Sequence, residues 1–232
     1  MRGVSCFAAF AALLLAAASA SAQTAVFDFE DGTDQGWGSA FGPDDASQIH
    51  PIVNIGGSNR MEVARTGFQV ASINSSANPF LAAINTAVAN PGLSTISYDW
   101  YIDTSAGGYG TFLQVGTYVN AGNAPDFPYT QDFPDPGIKD IELGGDQLAS
   151  GGVFSGTVSE LLSAKAYNLG NPLFQNAPTY RFGLIINTNA PTPTNVKVYF
   201  DNITITGVPE PATLALIGLA IPALIGVRRR RS

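Results

Sequence analysis

From Thr95 to Asp103 the chain alternates: Ile96, Tyr98, Trp100 and Ile102 fall on one side of an extended backbone, and Ser97, Asp99, Tyr101 and Asp103 on the other. Successive side chains of a β-strand point to opposite faces, so this stretch predicts a strand with one buried and one wet face, which needs a second apolar layer over it. Comparable short runs recur near Val26 to Glu30, Met61 to Arg65, Gln69 to Ile73, Thr111 to Val119, Lys139 to Leu143, Val153 to Val158, Tyr180 to Asn187 and Val196 to Thr206. Gly, Asn and Pro clusters separate them at Ile55 to Asn59, Ala106 to Gly110, Gly122 to Gly137 and Asn187 to Asn195, the third long enough to be a functional loop. Helical periodicity is nearly absent. The one short helix the sequence offers is Ser159 to Ala166, with Ser159 as its cap. Together these patterns predict an all-β chain, an antiparallel β-sandwich or barrel.

The two ends are different in kind. Arg2 supplies a positive start, Phe7 to Ala18 an apolar run, and Ala20-Ser21-Ala22 a small-residue cleavage site before Gln23, the layout of a secretory signal peptide over residues 1–22. At the other end stand Val208-Pro209-Glu210-Pro211, an uncharged run from Ala212 to Val227, and Arg228, Arg229, Arg230 and Arg231. The two prolines hold residues 208–211 extended, the shape a protease cleft accepts. As a helix the apolar run reaches roughly 24 Å, short of a hydrocarbon core of roughly 30 Å, so it predicts a short single transmembrane helix, weakened midway by Pro222. The arginines then stay cytoplasmic and the body lies across the membrane. Residues 23–207, with no repeat or linker, have the length of one β-sandwich domain.

The ending closely resembles the PEP-CTERM sorting signal of Gram-negative bacteria at Pro209-Glu210-Pro211, at the apolar segment and at Arg228 to Arg231. The resemblance implies export across the inner membrane, transient anchoring by the C-terminal helix, and recognition by an exosortase that cuts near the motif and leaves the protein at the cell surface or outside the cell. It also implies a setting of exopolysaccharide secretion.

Charge and residue usage exclude several activities. The chain carries a formal net charge of −7, and apart from Arg2 and the terminal arginines its bases are only Arg60, Arg65, Lys139, Lys165, Arg181 and Lys197. A nucleic-acid partner needs basic patches that such a surface lacks. Cys6, the sole cysteine, lies in the signal peptide, which removes disulfides, thiol catalysis and thiolate zinc sites from the exported part. His50 is the only histidine, sits before Pro51 in an expected solvated loop, and has no Gly-x-Ser-x-Gly elbow with it, so a Ser-His-Asp hydrolase is not indicated. Acids at Asp99, Asp103, Asp126, Asp132, Asp135, Asp140 and Glu142 leave open a glycan-active enzyme with paired carboxylates, although sequence spacing cannot supply the geometry. Asp126, Asp132 and Asp135 among Phe127, Tyr129 and Phe133 leave open a sugar or calcium loop.

Exposed aromatics are the stronger ligand signal, because sugar faces stack on Trp and Tyr while nearby polar groups bond the hydroxyls. Tyr101, Tyr109, Phe127 and Tyr129 are the candidates, whereas Tyr98, Trp100, Phe112, Phe182 and Phe200 have inward parity and belong to the core. Trp37 near a strand end is either a contact or a plug. A second resemblance joins the two ends of the body: Val26-Phe27-Asp28-Phe29-Glu30-Asp31-Gly32 with Gly36-Trp37, and Val198-Tyr199-Phe200-Asp201-Asn202-Ile203, are similar to the first and last strands of jelly-roll carbohydrate-binding modules of the galactose-binding-like type. It implies a jelly-roll sandwich and non-catalytic glycan binding. A structural matrix protein without a ligand is the other reading.

The closing strand changes parity. Val196, Val198 and Phe200 are apolar at even positions and Ile203 and Ile205 at odd ones, so a β-bulge is expected at Asp201-Asn202. With Asp28 or Glu30 from the opening strand, Asp201 would make an oxygen-rich site suited to calcium. By the resemblance Glu30 and Asp201 are the carried-over ligands, while the Asp-x-Asp-x-Asp-Gly calcium loop is absent.

Overall fold

A computed structural model describes residues 21–39, 50–65, 68–74, 82–122, 129–130, 139–164, 179–189 and 196–209. The strands are β1 Gln23–Phe27, β2 Gly38–Ser39, β3 Ile52–Ile55, β4 Ser58–Arg65, β5 Phe68–Asn74, β6 Thr95–Asp103, β7 Phe112–Gly122, β8 Tyr129–Thr130, β9 Ile141–Gly144, β10 Val153–Leu161, β11 Thr179–Thr188 and β12 Val196–Gly207. Among the described residues two helices accompany them, α1 Ala82–Ala89 and α2 Gly145–Ala149. The strands form two six-stranded antiparallel sheets, as the alternation requires. The first runs β10-β6-β12-β4-β3 with β1 also on β12, the second β2-β5-β11-β7-β8 with β9 also on β7.

The core lies between them. Ile96, Tyr98 and Ile102 of β6 and Val198 and Phe200 of β12 meet Leu113 and Val115 of β7 and Phe182, Leu184 and Ile186 of β11, all buried. Trp37 ties the layers together, edge-on to Phe27 of the first sheet at 5.5 Å and to Phe182 of the second at 6.4 Å. It is the plug.

β12 is the organising strand. Along one edge it pairs with β6, and along the other its first half pairs with β4 and its second half with β1, from Phe27↔Ile203 to Gln23↔Gly207. The bulge expected at Asp201-Asn202 is present: the register with β6 shifts between Asp201 and Thr204, Asn202 takes φ +49°, and the buried side changes from even to odd positions.

Local chemistry overrides the sequence expectation in three places. Ser159 to Leu161 do not open a helix but continue β10 against Ser97 to Thr95, and only Leu162–Ala164 coil, as a 3-10 turn. Cross-strand pairing outweighs the capping preference of one serine. Ile55 to Asn59 is a hairpin, with only Gly56 and Gly57 in the turn; both have positive φ, as a two-residue type I′ turn demands. α1 was not foreseen, because it has no charge and no cap signal, and its buried stripe of Ala83, Ile84, Ala87 and Val88 is short. The 1–20 and 210–232 segments, hence most of the expected signal peptide, with Ala20, and the expected transmembrane helix, lie outside the described residues; no described helix is long and apolar enough to cross a membrane.

His50 is a correction of a different kind. It is 3% exposed rather than solvated, and its Nε2 has no hydrogen-bond partner among the described residues. Burial lowers its pKa below the usual 6.5, against smaller upward pulls from the Glu62 and Gly38 backbones and the Asp34 charge. The folded state therefore holds the imidazole neutral, and the unfolded chain takes up a proton first as pH falls. Stability is full above about pH 6.5 and is lost below it, through the folded pKa. The expected result is a denaturant midpoint that drops between about pH 7.5 and about pH 5.5 in the wild type and much less in His50→Gln. Parallel midpoint curves for the two proteins would contradict it.

Candidate functional site

Trp100 points toward the second sheet, yet that sheet does not cover it. It lies one strand in from β10, the edge of the first sheet, and the nearest strand of the other layer there is the short β9. Between the two edges opens a groove of about 650 Å³. Asp140, Glu142 and Gln147 line one wall, Phe154 and the β10 backbone the other, with half-buried Trp100 between them.

The indole has room because its cross-strand partner is Gly156. A Cβ there would sit 3.1 Å from Trp100 Nε1 and 3.3 Å from Cε2, so the ring lies directly on the glycine backbone. Glycine inside a strand often marks such a close approach. Asp140 is fixed from beneath: the hydroxyl of fully buried Tyr98 donates to its Oδ2 at 2.6 Å. Burial first, and then the Asp140 charge, push the Tyr98 phenol well above its ordinary value, so it remains a donor. Lys139 pairs with Glu142, which also accepts from Gln114 Nε2 at 3.1 Å; these bonds hold the exposed Glu142 carboxyl below its usual range. The result is an open groove with a half-exposed aromatic plane and oriented carboxylates on one side.

The aromatics named from sequence fare differently. Tyr109 is 6% exposed and donates its hydroxyl to the Asp103 carbonyl, so it belongs to the core and offers no stacking face. Gly107, Gly108 and Gly110, all with positive φ, turn the chain so that it points inward. Tyr101 is half-buried on the outer face of the first sheet, edge-on to Tyr199 at 5.9 Å, with the Arg60 guanidinium 5.2 Å from its ring centre. Burial, and then Glu62, push the Tyr199 phenol up to about 12, and Glu62 is ion-paired to Lys197 at 3.0 Å. Tyr101 thus has one face occupied by a cation. Phe127 lies outside the described residues; of Tyr129 only the backbone is described, paired with Ala121. Trp100, assigned to the core by parity, is the residue the sequence reading missed, and Gly156 opposite it was the available signal.

The acids of the opening and closing strands do converge. Ser58 Oγ, at the start of β4, lies 2.6 Å from Asp201 Oδ2 and 3.1 Å from Glu30 Oε1. Glu30 Oε1 also accepts from the Asn59 amide at 3.1 Å, and Asp201 Oδ1 from the Asn202 amide at 2.7 Å. They meet there because β1 and β4 take successive halves of one edge of β12, leaving the bulge between them. Asp28 turns elsewhere, accepting from Gln35 Nε2 at 3.1 Å and the Glu30 amide at 3.3 Å, so it is not part of the cluster. Among the described residues no three acids or histidines gather tightly enough to hold a metal by themselves.

At the ends of the body, Ala22 and Gln23 are exposed, and the amide of Val208 donates to buried Ser94 Oγ at 3.1 Å. Val208 and Pro209 are half-buried; Glu210, Pro211 and Arg228 to Arg231 lie outside the described residues.

Comparison with known proteins adds three structural likenesses. A carbohydrate-binding module of family 28, specific for non-crystalline cellulose, aligns at 15% identity and TM-score 0.45 over 76% of this chain and 89% of that one. A family 27 module of Caldicellulosiruptor saccharolyticus, in complex with mannohexaose, aligns at 12% and 0.38 over 79% and 97%. The family 11 module of Clostridium thermocellum aligns at 15% and 0.39 over 81% and 97%. These are likenesses of strand architecture, and no residue role passes from them to this chain. No curated protein matches it in sequence. Residues 207–231 match the model of the PEP-CTERM protein-sorting motif, so the chain ends in that sorting signal.

Proposed function

We propose that this is an exported protein cut by an exosortase at Val208 to Pro211, whose sandwich binds a polysaccharide strand without catalysis in the groove between β9 and β10. The observation that carries the binding reading is Trp100, a half-exposed indole laid on Gly156 beside a polar wall. Such a surface stacks on a sugar face and bonds its hydroxyls. The acids of the groove and the net charge of −7 favour neutral or cationic glycans and repel acidic ones at low salt.

Affinity electrophoresis in gels containing neutral polysaccharides tests it. Trp100→Ala is expected to weaken retardation at least about tenfold, or 1.4 kcal/mol, the lower range for a central tryptophan. Tyr101→Ala is expected to leave it unchanged. The reverse outcome would move the site to the outer face of the first sheet, and no retardation of the wild type by any glycan would leave a structural matrix role.

Processing has its own measurement. The mass of the protein recovered outside exosortase-active cells is expected to lack the apolar run and Arg228 to Arg231. Retention of Ile217 to Arg231 in those cells would rule the cut out.

The same reading includes a structural calcium ion at Glu30 and Asp201. The donor set suits a hard cation, since both carboxylates approach one hydroxyl that has a single proton to give. Two carboxylates fall short of a full shell, so backbone oxygens and water would complete it. An ion bound only by the folded state stabilises it by about 2.7 kcal/mol at one hundred times its Kd. Calcium is expected to raise the melting temperature, and Asp201→Asn to abolish that rise; a wild-type melting curve indifferent to calcium and to chelator would exclude the ion.

A further inference from the structure

β10 closes one end of the first sheet. Its inner edge is bonded to β6 through all nine residues, without a bulge, and among the described residues no strand pairs with its outer edge. Val153, Ser155, Gly156, Thr157, Ser159 and Leu161 are exposed, Val153 at 56% and Leu161 at 46%. Sheet edges are ordinarily blunted with lysine, proline or a bulge, because a bare edge templates pairing with another chain. This one carries none of these, and Glu160 is its only charge.

The sequence of the edge also matches itself. We propose that β10 pairs antiparallel with the β10 of a second copy of this chain, about a twofold axis through Thr157. On the outer face this register sets Val153 against Leu161 of the second copy, Ser155 against Ser159, and Thr157 against Thr157. Each exposed apolar side chain thereby meets an exposed apolar one. On the inner face Gly156 meets Val158 and Phe154 meets Glu160. The two Glu160 carboxylates stand roughly 20 Å apart along the strands, so no like charges are opposed. Moving the axis by one residue either way sets Val153 against Ser159 or Leu161 against Ser155, so only the Thr157 register satisfies both ends. The axis is perpendicular to the sheet, and the two six-stranded sheets join edge to edge with their grooves side by side on one face.

A residue on a twofold axis opposes its own copy, and this gives a direct test. The full chain with Cys6→Ser has no cysteine. In that background Thr157→Cys places two thiols directly opposite, with Cβ atoms about 4.5–5.5 Å apart. Val153→Cys places them roughly 26 Å apart. Mild oxidation of the exported protein is expected to convert Thr157→Cys largely to a covalent dimer and to leave Val153→Cys monomeric. Light scattering is expected to give a dimer for the wild type and a monomer for Ser155→Lys with Ser159→Lys, which opposes lysine to lysine twice and leaves the core untouched. A wild type that stays monomeric at every concentration, or equal cross-linking of the two cysteine variants, would overturn the proposal.

Discussion

Trp37→Ala is expected to cost about 3–5 kcal/mol of folding stability, the range for emptying a large aromatic from a core. Trp37 is 2% exposed and stands edge-on to one phenylalanine from each sheet, Phe27 and Phe182, at interplanar angles of 88° and 86°. Removing it leaves both rings without their partner and opens a void where neither sheet can collapse onto the other without moving its strands. For a domain whose whole stability is about 5–15 kcal/mol, that is about a fifth of the total or more. A second substitution separates packing from polarity. The indole Nε1 is buried without a partner among the described residues, and an unpaired buried donor costs about 1–3 kcal/mol. Trp37→Phe removes that donor along with some volume, so the two effects offset and its midpoint is expected to stay within about 1 kcal/mol of the wild type. Urea unfolding of the three proteins decides it. An alanine variant no less stable than the phenylalanine variant would show that the plug carries no load.

Much of this fold can be read from residue parity alone. Thr95 to Asp103 alternates because both of its faces are ordinary, one core and one water, and β6 forms there. The switch from even to odd apolar positions after Phe200 required an extra residue, and the bulge sits at that step. Parity failed at Trp100 for a reason no local pattern contains. It says which side a residue faces, but whether the opposite sheet reaches far enough to cover that side depends on how far β9 extends beneath the edge. Tyr109 failed in the opposite direction: a glycine-rich loop reads as exposed, but three positive-φ glycines fold it back onto the Asp103 carbonyl. His50 is similar, since a histidine before a proline looks solvated until the β3–β4 hairpin is known to pack beside it. The convergence of Glu30 and Asp201 was inferred from a resemblance and from the bulge; Ser58, the residue between them, is visible only once β1 and β4 are seen to share an edge of β12.

Gly207→Ala is expected to be strongly destabilising for the addition of a single methyl group. Gly207 ends β12 and pairs with Gln23, and α1 crosses directly over it. A Cβ built there falls 2.4 Å from the Ala83 carbonyl oxygen, 2.8 Å from the Ala87 amide nitrogen and 2.8 Å from Thr86 Cβ. Two of these neighbours are helix backbone, which cannot rotate aside as a flexible side chain can. The helix must lift as a body, and it buries Ala83, Ile84, Ala87 and Val88, so lifting it uncovers that end of the core. Overpacking of this kind costs about 1–3 kcal/mol, more where backbone is displaced. The effect is steric and not conformational, because Gly207 lacks the positive φ that makes alanine costly at Gly32 or Gly56. Gly38→Ala is the matched control: it too is in a strand without positive φ, but nothing lies within 4 Å of its Cβ, and its midpoint is expected to stay near the wild type. The position also matters for sorting. Val208 follows immediately, tied by its amide to Ser94, so the packing of α1 on Gly207 fixes where the chain leaves the sandwich and begins the motif. Gly207→Ala should therefore lower the thermal midpoint and, at a temperature where the variant remains folded, loosen the anchor and speed proteolysis at residues 208–211. Equal midpoints for Gly207→Ala and Gly38→Ala would mean that α1 does not seat on β12 as closely as these distances require.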